Sequence, residues 1–446
     1  MIEKIKKLKT NKGFMRYFVN TSWVFAEKII KIFAALFIGV WVTRYLGPEK
    51  FGILSYAQSF IAIFLAFSTL GLNKILVREL VKKPSDKNVL LGTTLFLQTI
   101  GSTILISILI ITLYYTNTDT FTNKIILILG SVTFLQSFNI IQFYFESIVK
   151  SKIIVILNLI ILIISSTIKV TLIMTNAPLM YFVYNIVLDS LLLAIGLIYF
   201  YHINNSSIIN WKIEKTKAIL LLKDGWPLIL SGIIVSIYMK IDQVMLKEMI
   251  DSVAVGKYAA AVRLSETWYF IPTVISSSLF PAIINAKRLS EKLYYERLQN
   301  LYDLMVFLAL AIAIPMTFLS DWLVNLLYGE EFYLTGKVLS IHIWAGVFVF
   351  LGVSRGGWVL TENLQKYSSL YLGIGMISNI IINYFLIPIN GIIGAAQATL
   401  IAQSVSVLFA PLIFKDTRLS FFMMLKSLTF YSILKKIEPN VNKNKN

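Results

Sequence analysis

Two stretches of the chain, FGILSYAQSFIAIFLAFSTLGLN at residues 51–73 and VLLGTTLFLQTIGSTILISILIITLYY at residues 89–115, contain no charged residue. A helix needs roughly 20 mostly apolar residues to cross about 30 Å of hydrocarbon, and both stretches exceed that length. Each stretch therefore predicts a membrane-spanning helix, and together they indicate a polytopic membrane protein.

The composition of the whole chain points the same way. Of the 446 residues, 57% are hydrophobic and only 14% are charged, whereas a soluble protein has roughly 45–50% apolar and about 25% charged residues. This balance argues against a soluble enzyme. Because the chain has no cysteine and only two histidines, disulfides, thiolate catalysis and a Cys- or His-rich metal site are excluded.

Ten further apolar runs bring the number of predicted spans to twelve. The basic first sixteen residues lead into an apolar run without a small-residue cleavage site, so the first span is expected to stay in the membrane. The predicted spans are residues 17–42, 51–73, 89–115, 125–145, 153–175, 179–201, 226–246, 255–282, 301–320, 338–360, 367–387 and 392–414.

The distribution of Lys and Arg predicts the orientation of these spans. With a cytoplasmic N-terminus, the inside segments hold 29 Lys and Arg residues and the outside loops hold 5. Positive charge collects on the cytoplasmic side of membrane proteins, so the alternation predicts twelve helices with both termini cytoplasmic. The net charge of +18 is then explained by contact with an anionic leaflet, and no nucleic-acid partner is expected.

A polar, basic connector divides the chain at its midpoint. We predict an N-terminal six-helix bundle at residues 1–203, a cytoplasmic linker at 204–217, a C-terminal six-helix bundle at 218–414 and an interfacial, then disordered, cytoplasmic tail at 415–446. Because each bundle has an even number of spans, the two share one orientation. Parallel repeats of this kind place a transport site between the halves near the midplane.

Charged residues inside predicted spans are the candidates for function, since each costs about 2.5–3.5 kcal/mol on insertion scales. Cationic residues suit an anionic head group such as a diphosphate, and acidic residues suit uptake of H⁺ or Na⁺. The substrate-binding candidates are Lys28, Lys31, Lys169, Arg263 and Arg355, and the ion-coupling candidates are Glu27, Asp189, Asp242 and Glu266.

A purely structural role remains open for several of these residues, because some are spaced to neutralise one another. The pairs are Glu27 with Lys31, Arg263 with Glu266, and Lys169 with Asp189. Lys28 has no such local partner and is therefore the better cavity candidate. Asp242 is too short to reach the interface and needs either a partner or water.

Several motifs resemble those of Wzx-type polysaccharide flippases. They are RYLGPEKFG at residues 44–52, KIDQVML at 240–246, RLSETWYFIP at 263–272, NIIINYFLIP at 379–388 and GIIGAA at 391–396. The resemblance covers nearly the whole chain, and the combination is more specific than any one motif. That family does not share one fixed set of essential charges, so the candidate residues above rest on the argument from the spans.

The resemblance implies the all-α fold of the multidrug/oligosaccharidyl-lipid/polysaccharide exporters, with two six-helix bundles. It also implies that an undecaprenyl-diphosphate-linked O-antigen or capsule unit crosses the bacterial cytoplasmic membrane. Together with the intramembrane charges, this predicts transport by alternating access. The acidic residues predict H⁺ or Na⁺ coupling, and no other cofactor is expected. Membrane lipids, a polysaccharide polymerase and a chain-length regulator are the further partners it suggests.

Three other functions stay open at the level of the sequence. A drug or metabolite cation antiporter of the same fold would favour a more acidic cavity. A polytopic polysaccharide polymerase or ligase would need a large catalytic outer loop or a carboxylate-rich metal motif, and the chain has neither. A non-transporting membrane scaffold would leave the intramembrane charges unexplained.

Overall fold

The computed structural model describes residues 12–116, 118–204 and 206–429, which are almost entirely helical and contain no strand. The chain forms two compact units. Unit 1 comprises the described residues of Met1–Leu46 and Ala57–Ser236, and unit 2 comprises those of Gly47–Tyr56 and Ile237–Asn446. The predicted bundle boundaries at residues 203 and 218 stay a prediction.

Unit 1 contains six complete helices and parts of two longer ones. The long helix α1 contributes all but residues 47–56, and the eighth helix, α8, contributes its residues up to Ser236. The helices are α1 (Lys12–Thr69), α2 (Leu72–Lys82), α3 (Lys87–Tyr115), α4 (Thr120–Gln136), α5 (Ile140–Ser147), α6 (Ser151–Met174), α7 (Leu179–Ile203) and α8 (Lys215–Met249).

Unit 2 contains the end of α8 and six further helices. A π-helical segment, Val405–Phe409, follows the helix α13 directly. The helices are α9 (Ser252–Glu266), α10 (Phe270–Leu289), α11 (Glu291–Tyr328), α12 (Thr335–Thr361), α13 (Gln365–Ser404) and α14 (Arg418–Leu428).

Ten helical stretches of the described chain are long and apolar enough to cross a membrane. Two of them, Val19–Lys82 and Gln365–Leu412, are far longer than one span needs. The first is also broken at Gly71, but the eleven-residue α2 that follows is too short to span a membrane. Nearer its middle, each stretch is interrupted by a glycine with positive φ, Gly47 in the first and Gly391 in the second. Division at these glycines gives twelve segments, the predicted number. That all twelve cross a membrane with cytoplasmic termini stays a prediction.

The midpoint connector packs against unit 1. The indole of Trp211 donates a hydrogen bond to the Tyr201 hydroxyl at 3.0 Å, and Lys217 forms an ion pair with Asp86 at 2.7 Å. A side chain on Gly92 would overlap the backbone of Lys212. The described part of the predicted linker is therefore a packed element of this unit.

The start of the predicted tail is also packed, in unit 2. Gln299 on α11 donates hydrogen bonds to the Met423 carbonyl at 3.0 Å and to Ser427 at 2.8 Å. The Ser427 hydroxyl in turn donates to Asp303 at 2.7 Å, and Met424 is fully buried. These contacts dock α14 along α11. Residues 430–446 of the predicted tail lie outside the described residues.

Candidate transport site

Asp242 is the most deeply enclosed of the predicted site residues in unit 2. It is 4% exposed and lies on α8. Its carboxylate accepts hydrogen bonds from Tyr258 on α9 at 2.8 Å and from two residues of α13, Asn383 at 2.6 Å and Thr399 at 2.8 Å. Asn383 also donates to the side-chain oxygen of Asn379 at 2.5 Å.

The fold of α13 explains how Asn383 and Thr399 reach the same carboxylate. In a continuous helix, residues sixteen positions apart are separated by roughly 24 Å. Gly391 interrupts α13 with φ 57°, a conformation that glycine adopts at little cost. A side chain on Gly394 would overlap the Leu386 carbonyl, so the two arms lie close together. The chain turns back at Gly391 and brings both residues to Asp242.

The hydrogen-bond partners of the Asp242 carboxylate are neutral hydroxyl and amide groups. Among the described residues no Lys or Arg forms an ion pair with Asp242. The side-chain oxygen of Asn383 is buried and accepts no hydrogen bond. A buried carboxylate without a counter-ion is costly, and oxygen atoms are the ligands that hard cations prefer. The arrangement is chemically suited to hold H⁺ or a monovalent cation.

Arg263 and Glu266 do not form the pair that their spacing permits. No ion pair joins them, and Arg263 is exposed whereas Glu266 is half-buried. The side chains of Thr273 and Ser277 on α10 are also exposed, and their spacing of four residues places them on one face of that helix. Exposed hydroxyls and an uncommitted guanidinium on apolar helices are suited to contact water or a polar substrate.

Arg355 has a different environment, although it also lies in unit 2. It is 7% exposed, donates a hydrogen bond to the Val407 carbonyl at 2.7 Å, and lies 4.7 Å from the ring centre of Tyr371. Val407 belongs to the π-helical segment, where the regular helical hydrogen bonds are shifted. Arg355 thus stabilises this segment, and its proposed contact with substrate stays a prediction.

The predicted pairs of unit 1 are both formed. Lys31 lies 2.6 Å from the Glu27 carboxylate, which also accepts a hydrogen bond from Asn158 at 2.9 Å. Lys169 lies 3.8 Å from the Asp189 carboxylate. These contacts support the structural interpretation of both pairs.

Ser165 and Asn185 complete the surroundings of the Asp189 pair, whereas Lys28, the remaining predicted cation of unit 1, has no such partners among the described residues. Ser165 donates to the Asp189 carboxylate at 2.7 Å, and Asn185 donates to Ser165 at 3.0 Å. Lys28 is exposed and forms no ion pair within the described part of the chain. It remains available to an anionic ligand.

The partners of Asp242 were absent from the predicted site. Asn379 and Asn383 lie four positions apart in an otherwise apolar run, and both are fully buried. Two amides on one face of a spanning helix are expected to have polar partners. That spacing was a usable signal. Tyr258 and Thr399 gave none, since single hydroxyl residues are common in apolar helices.

Comparison with known families gives two matches. A family model described as polysaccharide biosynthesis protein matches residues 18–287, and a model described as MatE matches residues 227–385. The first match covers more than half of the chain.

Two curated relatives are similar to part of the chain. The probable flippase AglR of Haloferax volcanii is 29% identical over 258 residues, which cover 56% of this chain and 52% of that protein. The capsular polysaccharide biosynthesis protein CapF of Staphylococcus aureus is 22% identical over 208 residues, which cover 46% of this chain and 50% of that protein. The chain spans about half the length of the curated relatives it matches.

Two solved structures share the fold over nearly their full length. The lipid II flippase MurJ in an inward closed conformation gives a TM-score of 0.65 at 17% identity, covering 94% of this chain and 93% of that chain. A multidrug resistance MATE family transporter of the MOP superfamily, in its inward-facing conformation, gives a TM-score of 0.63 at 14% identity. The match covers 90% of this chain and 95% of that chain. The predicted all-α fold of the MATE and MOP type is confirmed.

Proposed function

The chain belongs to the polysaccharide biosynthesis protein family, and from this premise we propose that it is a flippase that moves a lipid-linked oligosaccharide across a membrane by alternating access. The family match confirms the resemblance found in the sequence motifs. The likeness of the fold to transporters supports a transport function in preference to a polymerase, a ligase or a scaffold.

The observation that carries this proposal is the exposed, uncommitted Arg263 on α9, with the exposed Thr273 and Ser277 on the next helix. A lipid-linked oligosaccharide has a diphosphate, which a guanidinium binds through charge-assisted hydrogen bonds. It also has sugar hydroxyls, with which Thr and Ser side chains can form hydrogen bonds. The exposed Lys28 adds a second cation in unit 1. A lipid tail can stay in the bilayer while Arg263 binds the head group.

The Asp242 cluster supports coupling of transport to an ion gradient. Binding of H⁺ or Na⁺ would neutralise the buried carboxylate, whose present partners carry no charge. The relative stability of the conformations of unit 2 therefore depends on whether the ion is bound. A conformation that binds the ion more tightly is favoured where the ion is abundant, and that preference can drive the alternation.

The finer assignment follows the sequence motifs. We propose undecaprenyl diphosphate as the lipid carrier, an O-antigen or capsule unit as the glycan, and the bacterial cytoplasmic membrane as the location. A polymerase and a chain-length regulator are proposed as partners that use the exported unit. The name of CapF supports a capsule as one such glycan.

The second candidate function is export of a cationic drug or metabolite. The MatE match at residues 227–385 favours it, because that region includes Asp242. The exposed cation Arg263 opposes it, since a cationic substrate would be repelled at that surface.

The test is a flipping assay in proteoliposomes. Purified protein is reconstituted with an undecaprenyl-diphosphate oligosaccharide on one leaflet, and an impermeant sugar-modifying reagent detects the glycan that emerges. We expect protein-dependent emergence that an H⁺ or Na⁺ gradient accelerates. Absence of emergence, together with gradient-driven uptake of an organic cation, would favour the antiporter.

The site assignment is tested by the double variant Lys28→Ala/Arg263→Ala. We expect it to lose most of the transport at an unchanged protein level, whereas the control Lys82→Ala/Lys83→Ala removes two exposed cations elsewhere and retains transport. Normal transport by the first variant would show that the head group binds at another place.

A further inference from the structure

Two neighbouring cavities of unit 1 form a second feature that the transport residues above do not explain. One is an open groove of about 570 Å³, and the other is a smaller pocket of about 260 Å³. Both are lined by Asn20 on α1, so they adjoin at this residue. Asn20 also holds the turn between α5 and α6, because its amide exchanges two hydrogen bonds with Ser151 at 2.8 and 3.1 Å.

The larger cavity combines an apolar wall with two cations. Met15, Val19 and Ile153 contribute to the apolar wall. Lys150 and Lys152 also line this groove, and neither forms an ion pair within the described part of the chain.

The polar contacts of these two lysines are weak. The Lys150 ammonium is 3.4 Å from the Asn204 side-chain oxygen, and that of Lys152 is 4.9 Å from the ring centre of Trp23. Two positive charges thus lie beside an apolar groove without a compensating anion.

The smaller cavity combines polar and acidic side chains with three apolar ones, Val24, Ile154 and Val155. Gln142 and Glu146 lie one helical turn apart on α5 and line it from one side, while Thr21 and Glu27 line it from α1. The hydroxyl residue Ser151, between the two lysines in sequence, lines it as well. Carboxylates, amides and hydroxyls are the groups that hydrogen-bond sugar hydroxyls, and the pocket has the size of one sugar residue.

We propose that these adjoining cavities bind the lipid-linked glycan before it is transported. The isoprene units next to the diphosphate occupy the apolar groove, and the diphosphate lies at Lys150 and Lys152. The first sugar, which is attached to the diphosphate, enters the smaller pocket. This inference rests on the proposed flippase function and assigns its substrate a loading site in unit 1. The positive-inside pattern predicts that the turn carrying both lysines faces the cytoplasm, where such a lipid would be loaded.

The acidic lining makes the site selective for the first sugar. Glu146 forms no ion pair within the described residues, so it can accept hydrogen bonds from hydroxyl or amide N–H groups but repels a carboxylate. The structure therefore assigns a neutral or amino sugar, and excludes a uronic acid, at the position next to the diphosphate. A phospholipid would satisfy the groove and the lysines but would leave the smaller pocket without a matching group.

The test is a binding measurement on the full chain in lipid nanodiscs. The probe is a fluorescent three-isoprene diphosphate carrying N-acetylglucosamine, and a second probe carries glucuronic acid in its place. We expect Lys150→Gln/Lys152→Gln to bind the first probe at least about tenfold more weakly. The control Lys82→Gln/Lys83→Gln makes the same charge change on α2 and the residue after it, and should bind within about twofold of the unchanged protein.

The sugar preference provides a readout that general loss of folding does not imitate. The unchanged protein should bind the glucuronic acid probe about tenfold more weakly than the N-acetylglucosamine probe. Glu146→Gln should narrow that difference. Excess phosphatidylglycerol should fail to displace the first probe.

Each contrary result has a distinct meaning. Equal binding by Lys150→Gln/Lys152→Gln, in a protein that still flips a lipid-linked glycan, would overturn the loading site and leave the flippase function intact. Displacement by phosphatidylglycerol would identify the groove as a phospholipid site and overturn the inference. Binding as expected by a protein that flips no lipid-linked glycan would instead overturn the proposed function.

Discussion

Glu27 in unit 1 and Asp242 in unit 2 are both carboxylates within predicted spans, yet their surroundings differ. Glu27 has a lysine 2.6 Å away, supplied by its own helix one turn later. Asp242 has only hydroxyl and amide partners, supplied by α9 and by both arms of α13. One acid therefore carries its counter-ion in the local sequence, whereas the other is satisfied only by neutral groups from distant segments.

The difference teaches which intramembrane charges can respond to an external ion. Binding of a cation stabilises a carboxylate that is already paired very little, whereas it strongly stabilises a buried carboxylate that has no counter-ion. The local pair at Glu27 is thus suited to a structural role. The Asp242 cluster is suited to exchange of an ion. Four predictions test this contrast.

The largest effect is expected for Asp242→Asn. The amide keeps the size of the side chain but removes the charge that attracts an ion, so the stimulation of flipping by the effective H⁺ or Na⁺ gradient should fall by about tenfold or more. Glu27→Gln is the matched variant and should keep the stimulation. Proteoliposome flipping with and without the gradient measures both, and the opposite ranking would reverse the roles of the two acids.

Arg263→Gln should have the next largest effect, and on a different quantity. Loss of a charge-assisted hydrogen bond costs about 1.5–3 kcal/mol, so the substrate concentration for half-maximal flipping should rise roughly tenfold to a hundredfold. Lys31→Gln removes a cation that Glu27 already engages, and a change below about threefold is expected. Equal effects of the two variants would show that pairing with Glu27 does not withhold Lys31 from the substrate.

A smaller change is expected for Thr399→Val, which removes one hydroxyl from the Asp242 cluster. A neutral hydrogen bond contributes about 1 kcal/mol, so the ion concentration for half-maximal stimulation should change by roughly fivefold. Asn158→Leu removes the corresponding neutral partner of Glu27 and leaves Lys31 in place. An unchanged ion dependence in Thr399→Val would place the coupling ion elsewhere.

The smallest effect concerns stability. The side chain of Lys31 is 45% exposed, and exposed ion pairs contribute about 0–1 kcal/mol. Lys31→Gln should therefore lower the free energy of unfolding by less than about 1 kcal/mol, as followed by denaturant unfolding in detergent. Asn383→Leu should lower it by about 1–3 kcal/mol, because it leaves part of the buried Asp242 unsatisfied.

Local sequence patterns predicted the helices and the unit 1 pairs well. Apolar run length is sufficient to identify a span, and a spacing of four residues is sufficient to bring Glu27 and Lys31 together. The same reasoning was insufficient for Arg263 and Glu266, because spacing permits a contact without compelling it. In the structure Arg263 is exposed and Glu266 is half-buried, and no ion pair joins them.

Long-range placement could not be predicted from the spacing of residues. The link from Asp242 to Thr399 requires the reversal at Gly391, and a single glycine in an apolar run does not reveal its φ angle. The burial of Arg355 depends on the π-helical segment at Val405–Phe409. Such a shift in hydrogen bonding leaves no periodic signature in the sequence.

The distance along the chain between Asp242 and its partners also imposes an order on synthesis. Asp242 and Asn383 are 141 residues apart, and ribosomes add about 5–20 residues per second, so roughly seven to thirty seconds separate their emergence. During this interval the end of α8 carries a carboxylate that has Tyr258 but lacks its two partners from α13. Unit 2 therefore completes its polar centre only after both arms of α13 have been made, and a chain that stops before Gly391 leaves that centre unfinished.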